Sequence, residues 1–330
     1  NDRVAIVVYA GASGMVLPST ACDEAGKKAV LAALDRLRAG GSTNGGAGIQ
    51  LAYDIATVHR IQGGTNRVIL ATDGDWNVGV TNQGDLTRLI EKEAKRGIFL
   101  SVLGFGMGNY KDSTLEKLAD KGNGNYAYVD GLGEARKVFV EQMAGTLITI
   151  AKDVKIQVEF NPAKVSAYRL IGYENRRLRK EDFNDDAKDA GEIGAGHTVT
   201  ALYEVVPAGE ELEIPSVDTL KYQGTPTAPK NSSPELFTVK LRYKEPEGEK
   251  SRLIELPVVD EGKGYEKASG DFRFAAAVAS FGMLLRDSEY KGKETYASLL
   301  ERLGTEEMGR DEGGYRKEFI NLVKLAGRHP

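Results

Sequence analysis

The chain has 330 residues, 41% of them hydrophobic, enough for roughly two domains at about 150 residues each. Its net charge is −4, and the 28% of charged residues are well mixed in sign, so a nucleic-acid partner is not expected. No stretch of about 18 apolar residues occurs, so no membrane-spanning helix is expected.

The chain opens Asn1-Asp2-Arg3 and runs directly into an apolar segment, without a starter Met or a signal peptide. It is read as a processed or truncated product. The one cysteine, Cys22, excludes an internal disulfide and a zinc site of several thiolates. It is expected to be a small, buried or half-buried residue.

In chain order, Val4–Tyr9 is a continuous apolar run, as in a strand buried on both faces. Met15–Pro18 reads as a short edge strand that the proline stops. Asp23–Arg38 is helical, with Val30, Leu31, Leu34 and Leu37 on one face and Gly40-Gly41 as its end. Helix Ala47–His59, buried strand Val68–Ala71 and helix Leu86–Lys95 follow. After them come strand Ile98–Gly104, helix Thr114–Asp120, strand Asn125–Val129 and helix Leu132–Leu147. Strands alternating with helices predict a doubly wound, mostly parallel α/β sheet over residues 1–150.

The pattern then changes. Val154–Phe160, Val199–Val205 and Phe237–Tyr243 alternate apolar and polar residues, which predicts an antiparallel, β-sandwich-like domain over 151–262. Its loops, such as Asn184–Gly196 and Gly224–Pro234, are rich in Asp, Gly and Pro. From about Ser269 the spacing of Phe272, Ala275, Ala276, Ala279, Gly282 and Met283 is helical. Helices Tyr296–Leu303 and Tyr315–Ala326 complete a helical segment over 263–330.

Two segments carry chemistry. Gly40–Ile49 joins two helices through glycines and small polar residues, which lets a ligand approach the backbone. Val68–Asn77 delivers Asp73 at the C-terminal end of a buried strand, the edge at which open parallel sheets bind ligands. A carboxylate there wants a cation or donors; an ordinary helix–helix loop and an Asx-turn are the plainer readings of the two segments.

The blocks Asp2–Tyr9, Gly41–Ile49, Val68–Gly74, Ser101–Gly106 and Leu115–Tyr128, in this order, resemble a von Willebrand factor type A (VWA) domain from its second strand onward. The runs Lys152–Ile156, Gly172–Arg176 and Gly194–Tyr203 extend the likeness to bacterial cell-envelope VWA proteins with a further C-terminal domain. The resemblance implies a metal-ion-dependent adhesion site for Mg²⁺ or another divalent cation. Thr43 and Asp73 match two of its ligands, and hydroxyl and carboxylate oxygens suit such an ion. Asn44, Asp75 and Asn77 would form the rim that meets a protein partner, whose acidic side chain completes the coordination. The Asp-x-Ser-x-Ser motif of the first strand is missing, so this chain alone is expected to bind the metal weakly or not at all. The place of that strand, between Val4–Tyr9 and Val68–Thr72, is expected to be filled by a separate polypeptide, first of all the protein's own N-terminal fragment.

The function implied is a non-enzymatic interaction or adhesion module of the cell envelope. An accessory subunit of a chelatase or chaperone ATPase and an unrecognised hydrolase are the alternatives. Gly11-Ala12-Ser13-Gly14 lacks the Gly-x-Ser-x-Gly spacing of a nucleophile elbow. Gly104–Gly108 is not a dinucleotide fingerprint. His59, His197 and His329 are scattered and read as structural or solvated. In the acidic loop Asp182–Glu192, Ala187 stands where a calcium loop needs glycine, so a solvated loop is expected.

Overall fold

The computed structural model describes residues 2–9, 14–38, 40, 44–73, 83–106, 112–143, 145, 148–173, 177–188, 190–210, 233–246, 248–305 and 309–328. The chain forms two compact units: Asn1–Lys155 with Asp186–Thr198 and Arg242–Arg252, and Ile156–Asp185 with Val199–Leu241 and Leu253–Pro330.

In the first unit, β1 (Arg3–Val8) and β2 (Gly14–Ala21) form an antiparallel ribbon in which Arg3 faces Ala21 and Val8 faces Gly14. β2 runs through Pro18 instead of stopping there. In a two-stranded ribbon each strand has an open side, and proline is tolerated on it. β1 is exposed over Arg3–Ala5 and half-buried beyond, so it is not a strand covered on both faces. Helix α1 (Glu24–Asp35) is capped by Asp23, whose carboxylate accepts from Gly26 N at 2.8 Å. It ends before Gly40, and its packing face is Gly26 and Ala33; Leu31 and Leu34 are 62% and 48% exposed. The close approach explains this: a Cβ on Gly26 would stand 1.7 Å from the Ala21 carbonyl oxygen, so only the small residues can face β2.

Helix α2 (Gly45–Val58), β3 (Asn66–Thr72), α3 (Gln83–Lys95), β4 (Ile98–Phe105), α4 (Asp112–Lys121) and β5 (Tyr126–Val129) build a parallel sheet in the order β3-β4-β5. Register runs from Asn66 beside Ile98 to Thr72 beside Gly104. Ile49 and Tyr53 of α2, Leu86 and Ile90 of α3, and Leu115 and Leu118 of α4 pack over Val68, Leu70, Leu100 and Val102. β3 is buried on that face alone, with Ile69 47% exposed on the other. The continuous apolar spelling of β3 predicted cover on both faces, but among the described residues helices lie over one. α5 (Leu132–Arg136) passes into a π-helical turn over Lys137–Glu141, where one regular helix to Leu147 was predicted; residues 144, 146 and 147 lie outside the described set.

Tyr53 is 1% exposed, yet among the described residues its hydroxyl has no hydrogen-bond partner. Burial, and then the nearby charge of Glu93, hold the phenol well above its ordinary pKa. A buried polar group left unpaired costs about 1–3 kcal/mol. Tyr53→Phe is therefore expected to leave stability unchanged or to raise it by ~1 kcal/mol in urea denaturation. A clear loss would show that the hydroxyl is bonded.

The remaining strands are β6 (Thr149–Phe160), β7 (Val165–Ile171), β8 (Gly191–Gly194), β9 (Leu202–Pro207), β10 (Glu235–Lys244) and β11 (Arg252–Val259). They form a four-stranded sheet in the order β11-β10-β6-β8 and an antiparallel ribbon β7-β9. β7, β8 and β11 were not predicted, and Val199–Ala201 stays outside the strand predicted from Val199. The acidic loop is exposed over Asn184–Lys188, as expected, and within the first unit Asp186 is also tied down. Asp186 accepts from Ser251 Oγ at 2.5 Å, and its carbonyl accepts from Lys244 Nζ at 2.7 Å. Arg67 is also held here. Its guanidinium donates to Ser101 Oγ at 2.7 Å, and burial, offset in part by Glu192, lowers its pKa to about 10.

In the second unit Phe160 stacks on Tyr168 at 4.3 Å and meets Tyr203 and Phe237 at 5.4 and 5.5 Å. Period-two alternation puts Arg169 on the opposite face of the ribbon from Tyr168. Arg169 pairs with Glu204 and lies 4.0 Å over the Tyr290 ring. Helices α6 (Gly270–Leu285), α7 (Tyr296–Thr305) and α8 (Tyr315–Ala326) close on Ala277, Leu299, Leu303 and Val323, with Phe274, Phe281 and Phe319 around them. No helix among the described residues is long and apolar enough to cross a membrane.

Candidate metal and partner site

Asp73 follows β3 directly and is exposed at the C-terminal edge of the parallel sheet. Thr72 before it is buried, 4% exposed. The strand thus ends by turning a carboxylate out of a buried register, the position at which α/β sheets present ligands. Beside it, Gly106 ends β4 in a left-handed conformation (φ 83°), where a Cβ would come within 3.9 Å of Asp73 Cβ. The Tyr128 hydroxyl of β5 donates to the Gly106 carbonyl.

Asn44 opens α2. Its side-chain oxygen accepts from Ala47 N at 3.3 Å, an N-cap. Its backbone N–H donates to the Tyr9 carbonyl at 3.0 Å. The Tyr9 hydroxyl in turn donates to the Ala71 carbonyl at 2.5 Å. Burial raises the Tyr9 pKa; a hydrogen bond with Thr72 opposes the shift, and the charge of Asp73 adds to it. Tyr9 therefore ties the start of α2 to the end of β3, which brings Asn44 and Asp73 to one edge. Thr43, Asp75 and Asn77 lie outside the described residues.

Tyr9 and Gly106 were not singled out from the sequence. For Tyr9 the available signal was a polar-tipped aromatic ending an apolar strand run, a residue that buries its ring and offers a hydroxyl at the rim.

β1 and β3 belong to different sheets. In β4, Leu100 N and Val102 N donate toward the β5 side, to Gly122 and Asn125, so the alternate residues face β3. The Ala71 carbonyl, taken by Tyr9, belongs to the set of β3 groups that point away from β4. β3 thus keeps an open edge on its β1 side among the described residues.

Among the described residues no group of three or more His, Cys, Asp or Glu is placed to hold a metal ion. The described part of the site supplies one carboxylate, and that alone does not make a coordination sphere for a hard cation. His59 ends α2 and His197 is exposed; His329, Gly11–Ser13 and Met107-Gly108 lie outside the described residues. Cys22 is half-buried.

The family model for the von Willebrand factor type A domain matches residues 1–142, and that described as "Uncharacterized protein YfbK, C-terminal" matches residues 145–328. The uncharacterized protein YfbK of Escherichia coli (strain K12) is 45% identical over 327 residues. That match covers 99% of this chain and 55% of YfbK, so the chain spans about half the length of this curated relative. Among solved structures, the von Willebrand factor type A protein from Catenulispora acidiphila is 16% identical, with a TM-score of 0.43, 99% of this chain and 71% of that one being covered. Proximal thread matrix protein 1 from the mussel byssus is 17% identical, with a TM-score of 0.35, and 48% and 38% are covered.

Proposed function

We propose that this chain, which belongs to the von Willebrand factor type A family and carries the YfbK C-terminal domain, grips an acidic side chain of a protein partner through a divalent cation. A VWA domain suggests a non-catalytic interaction or adhesion module. The finer reading rests on one observation: an exposed Asp73 released from a buried strand at the C-terminal edge of the parallel sheet. In this reading Asp73 and Thr43 contribute oxygens to Mg²⁺, and Asn44, Asp75 and Asn77 meet the partner at the rim.

The described residues do not complete the coordination, and β3 has an open edge toward β1. Both point to one missing piece, a strand seated between β1 and β3 that carries the further ligands. The protein's own N-terminal segment is the occupant proposed. Neighbouring strands stand ~4.8 Å apart, so one strand would satisfy both open edges and cover their backbone groups. The setting proposed is the cell envelope.

Calorimetric titration with Mg²⁺ tests this. The 330-residue chain is expected to bind weakly or not at all. A version joined to the N-terminal segment proposed here is expected to bind one ion, and Asp73→Ala in that version to abolish the heat. Tight stoichiometric binding by the short chain, or binding by the extended one that survives Asp73→Ala, would overturn the reading.

A further inference from the structure

Helix α6 is apolar nearly all round, with Asp271 and Arg273 as its charged residues. A helix of that composition is normally buried on every side. Here one side is buried: Ala277 lies in the helical core, with Phe274, Phe281 and Leu284 packed around it. On the other side Phe272, Val278 and Leu285 are 48%, 41% and 58% exposed. A lipid cover does not suit it. The helix has 16 residues, short of the ~20 needed to cross a bilayer. It also lacks the lysine- and arginine-rich flank of a helix that lies on a membrane surface.

A helix turns about 100° per residue. Asp271, Ala275, Val278, Gly282 and Leu285 therefore form one stripe along the free side, with the alternating four- and three-residue spacing of a helix–helix seam. Phe272, Ala279 and Arg286 flank it. Gly282 stands within the stripe, although glycine weakens a helix interior. Among the described residues a Cβ there would meet nothing within 4 Å, so no contact of that kind calls for a glycine. Against a second helix it has a use: with Ala275 it lets two backbones approach closely.

The charges select that second helix and its direction. Two copies of α6 laid parallel would set Asp271 against Asp271 and Arg286 against Arg286. Laid antiparallel about a two-fold axis between Val278 and Ala279, they set Asp271 against Arg286, Ala275 against Gly282 and Val278 against Val278. Both end charges are accessible. Asp271 pairs with Arg316 but its side chain is still 78% exposed, and Arg286, at the C-cap, is exposed. Opposed helix dipoles favour the same orientation.

We propose that the free side of α6 is a homodimer interface, in which two copies pack antiparallel across Val278 with Asp271 of each facing Arg286 of the other. The same patch is used on both copies, so the assembly closes at two. One helix from each copy makes a small interface, and the association is weak and reversible.

Sedimentation across a concentration series is expected to show a monomer–dimer equilibrium. Val278→Glu sets two carboxylates against each other at the axis and is expected to leave monomer over the range in which the parent chain dimerises. Leu285→Glu, at a more exposed position, brings a carboxylate toward Asp271 of the other copy and is expected to do the same. Far-UV circular dichroism of both variants should match that of the parent. Arg286→Glu is expected to weaken association about 10-fold through two symmetry-related contacts, and adding Asp271→Lys to restore it. A parent chain that stays monomeric at every concentration, or a dimer indifferent to both Val278→Glu and Leu285→Glu, overturns the proposal. A dimer broken by them that the charge exchange does not restore overturns the antiparallel register.

Discussion

Lys244→Ala is expected to lower the unfolding free energy by roughly 3 kcal/mol, because it strips one partner from a buried ion pair. The Lys244 and Asp153 side chains are 9% and 16% exposed, and Nζ lies 2.7 Å from Asp153 Oδ2. The ammonium also donates to the Asp186 carbonyl, and the second Asp153 oxygen accepts from Ala190 N at 3.3 Å. Asp153 itself stands at φ 51°, where β6 breaks register against β8 between Ala151 and Val154. The left-handed conformation is one that Asp tolerates better than most residues. Without Lys244 that turn holds a carboxylate with little water and without the ammonium it pairs with. The double replacement Lys244→Met with Asp153→Asn is expected to recover much of the loss, since the amide suits the left-handed turn, keeps an acceptor for Ala190 N and leaves no charge to desolvate.

The same pair sets a pH dependence. Burial alone would lower the Lys244 pKa, but the hydrogen bond and charge of Asp153, with Asp186 and Glu249, raise it above the ordinary lysine value. A raised lysine contributes stability that is fully present below its unfolded-state pKa and is lost as pH rises through the folded one. The gap between the parent chain and Lys244→Met should therefore be full at neutral pH and narrow only in strongly alkaline solution. Urea midpoints measured at both pH values check it. A Lys244→Ala chain as stable as the parent at neutral pH would reduce the pair to the worth of a surface bridge.

The parallel half of the fold was legible because period and punctuation agreed there. The run Val68–Ala71, the glycines at 45, 46 and 48 and the alternation of strands with helices left one architecture. What the sequence hid was cover. Ile69 and Leu34 are apolar, yet both are exposed, because periodicity reports which face is apolar and not whether anything lies over it. β11 was missed for a related reason: Arg252–Val259 carries apolar residues on both faces at a border, so the strict alternation that reveals a half-buried strand is absent. Asp73 was read from its place at the end of a buried strand, which chain order fixes, whereas Asn44 entered only through the family resemblance. Tyr9 was not, since its hydroxyl finds Ala71 across 62 positions of sequence and no local pattern announces such a bond.

Gly48→Ala is the second large effect expected, and its sign makes it diagnostic. In the interior of a helix, glycine to alanine normally gains about 1 kcal/mol. At Gly48 a Cβ would stand 2.4 Å from Tyr9 Cβ and 3.0 Å from its Cγ, inside the distance at which carbon atoms repel. Tyr9 cannot step aside cheaply. Its carbonyl holds Asn44 N and its hydroxyl holds the Ala71 carbonyl, so the added methyl must shift α2, break one of those bonds, or both. Overpacking of this kind costs typically 1–3 kcal/mol. A net loss of roughly 2 kcal/mol in urea denaturation is expected. Gly282→Ala is the control: in α6 a Cβ meets nothing within 4 Å, so that variant should be neutral or gain up to ~1 kcal/mol. In the upstream-extended protein, Gly48→Ala should also weaken Mg²⁺ binding, because the contact that fixes Tyr9 also fixes where Asn44 and Asp73 stand. If Gly48→Ala proves as stable as Gly282→Ala and leaves Mg²⁺ binding intact, the position of Tyr9 beside Asp73 is not set by packing against α2.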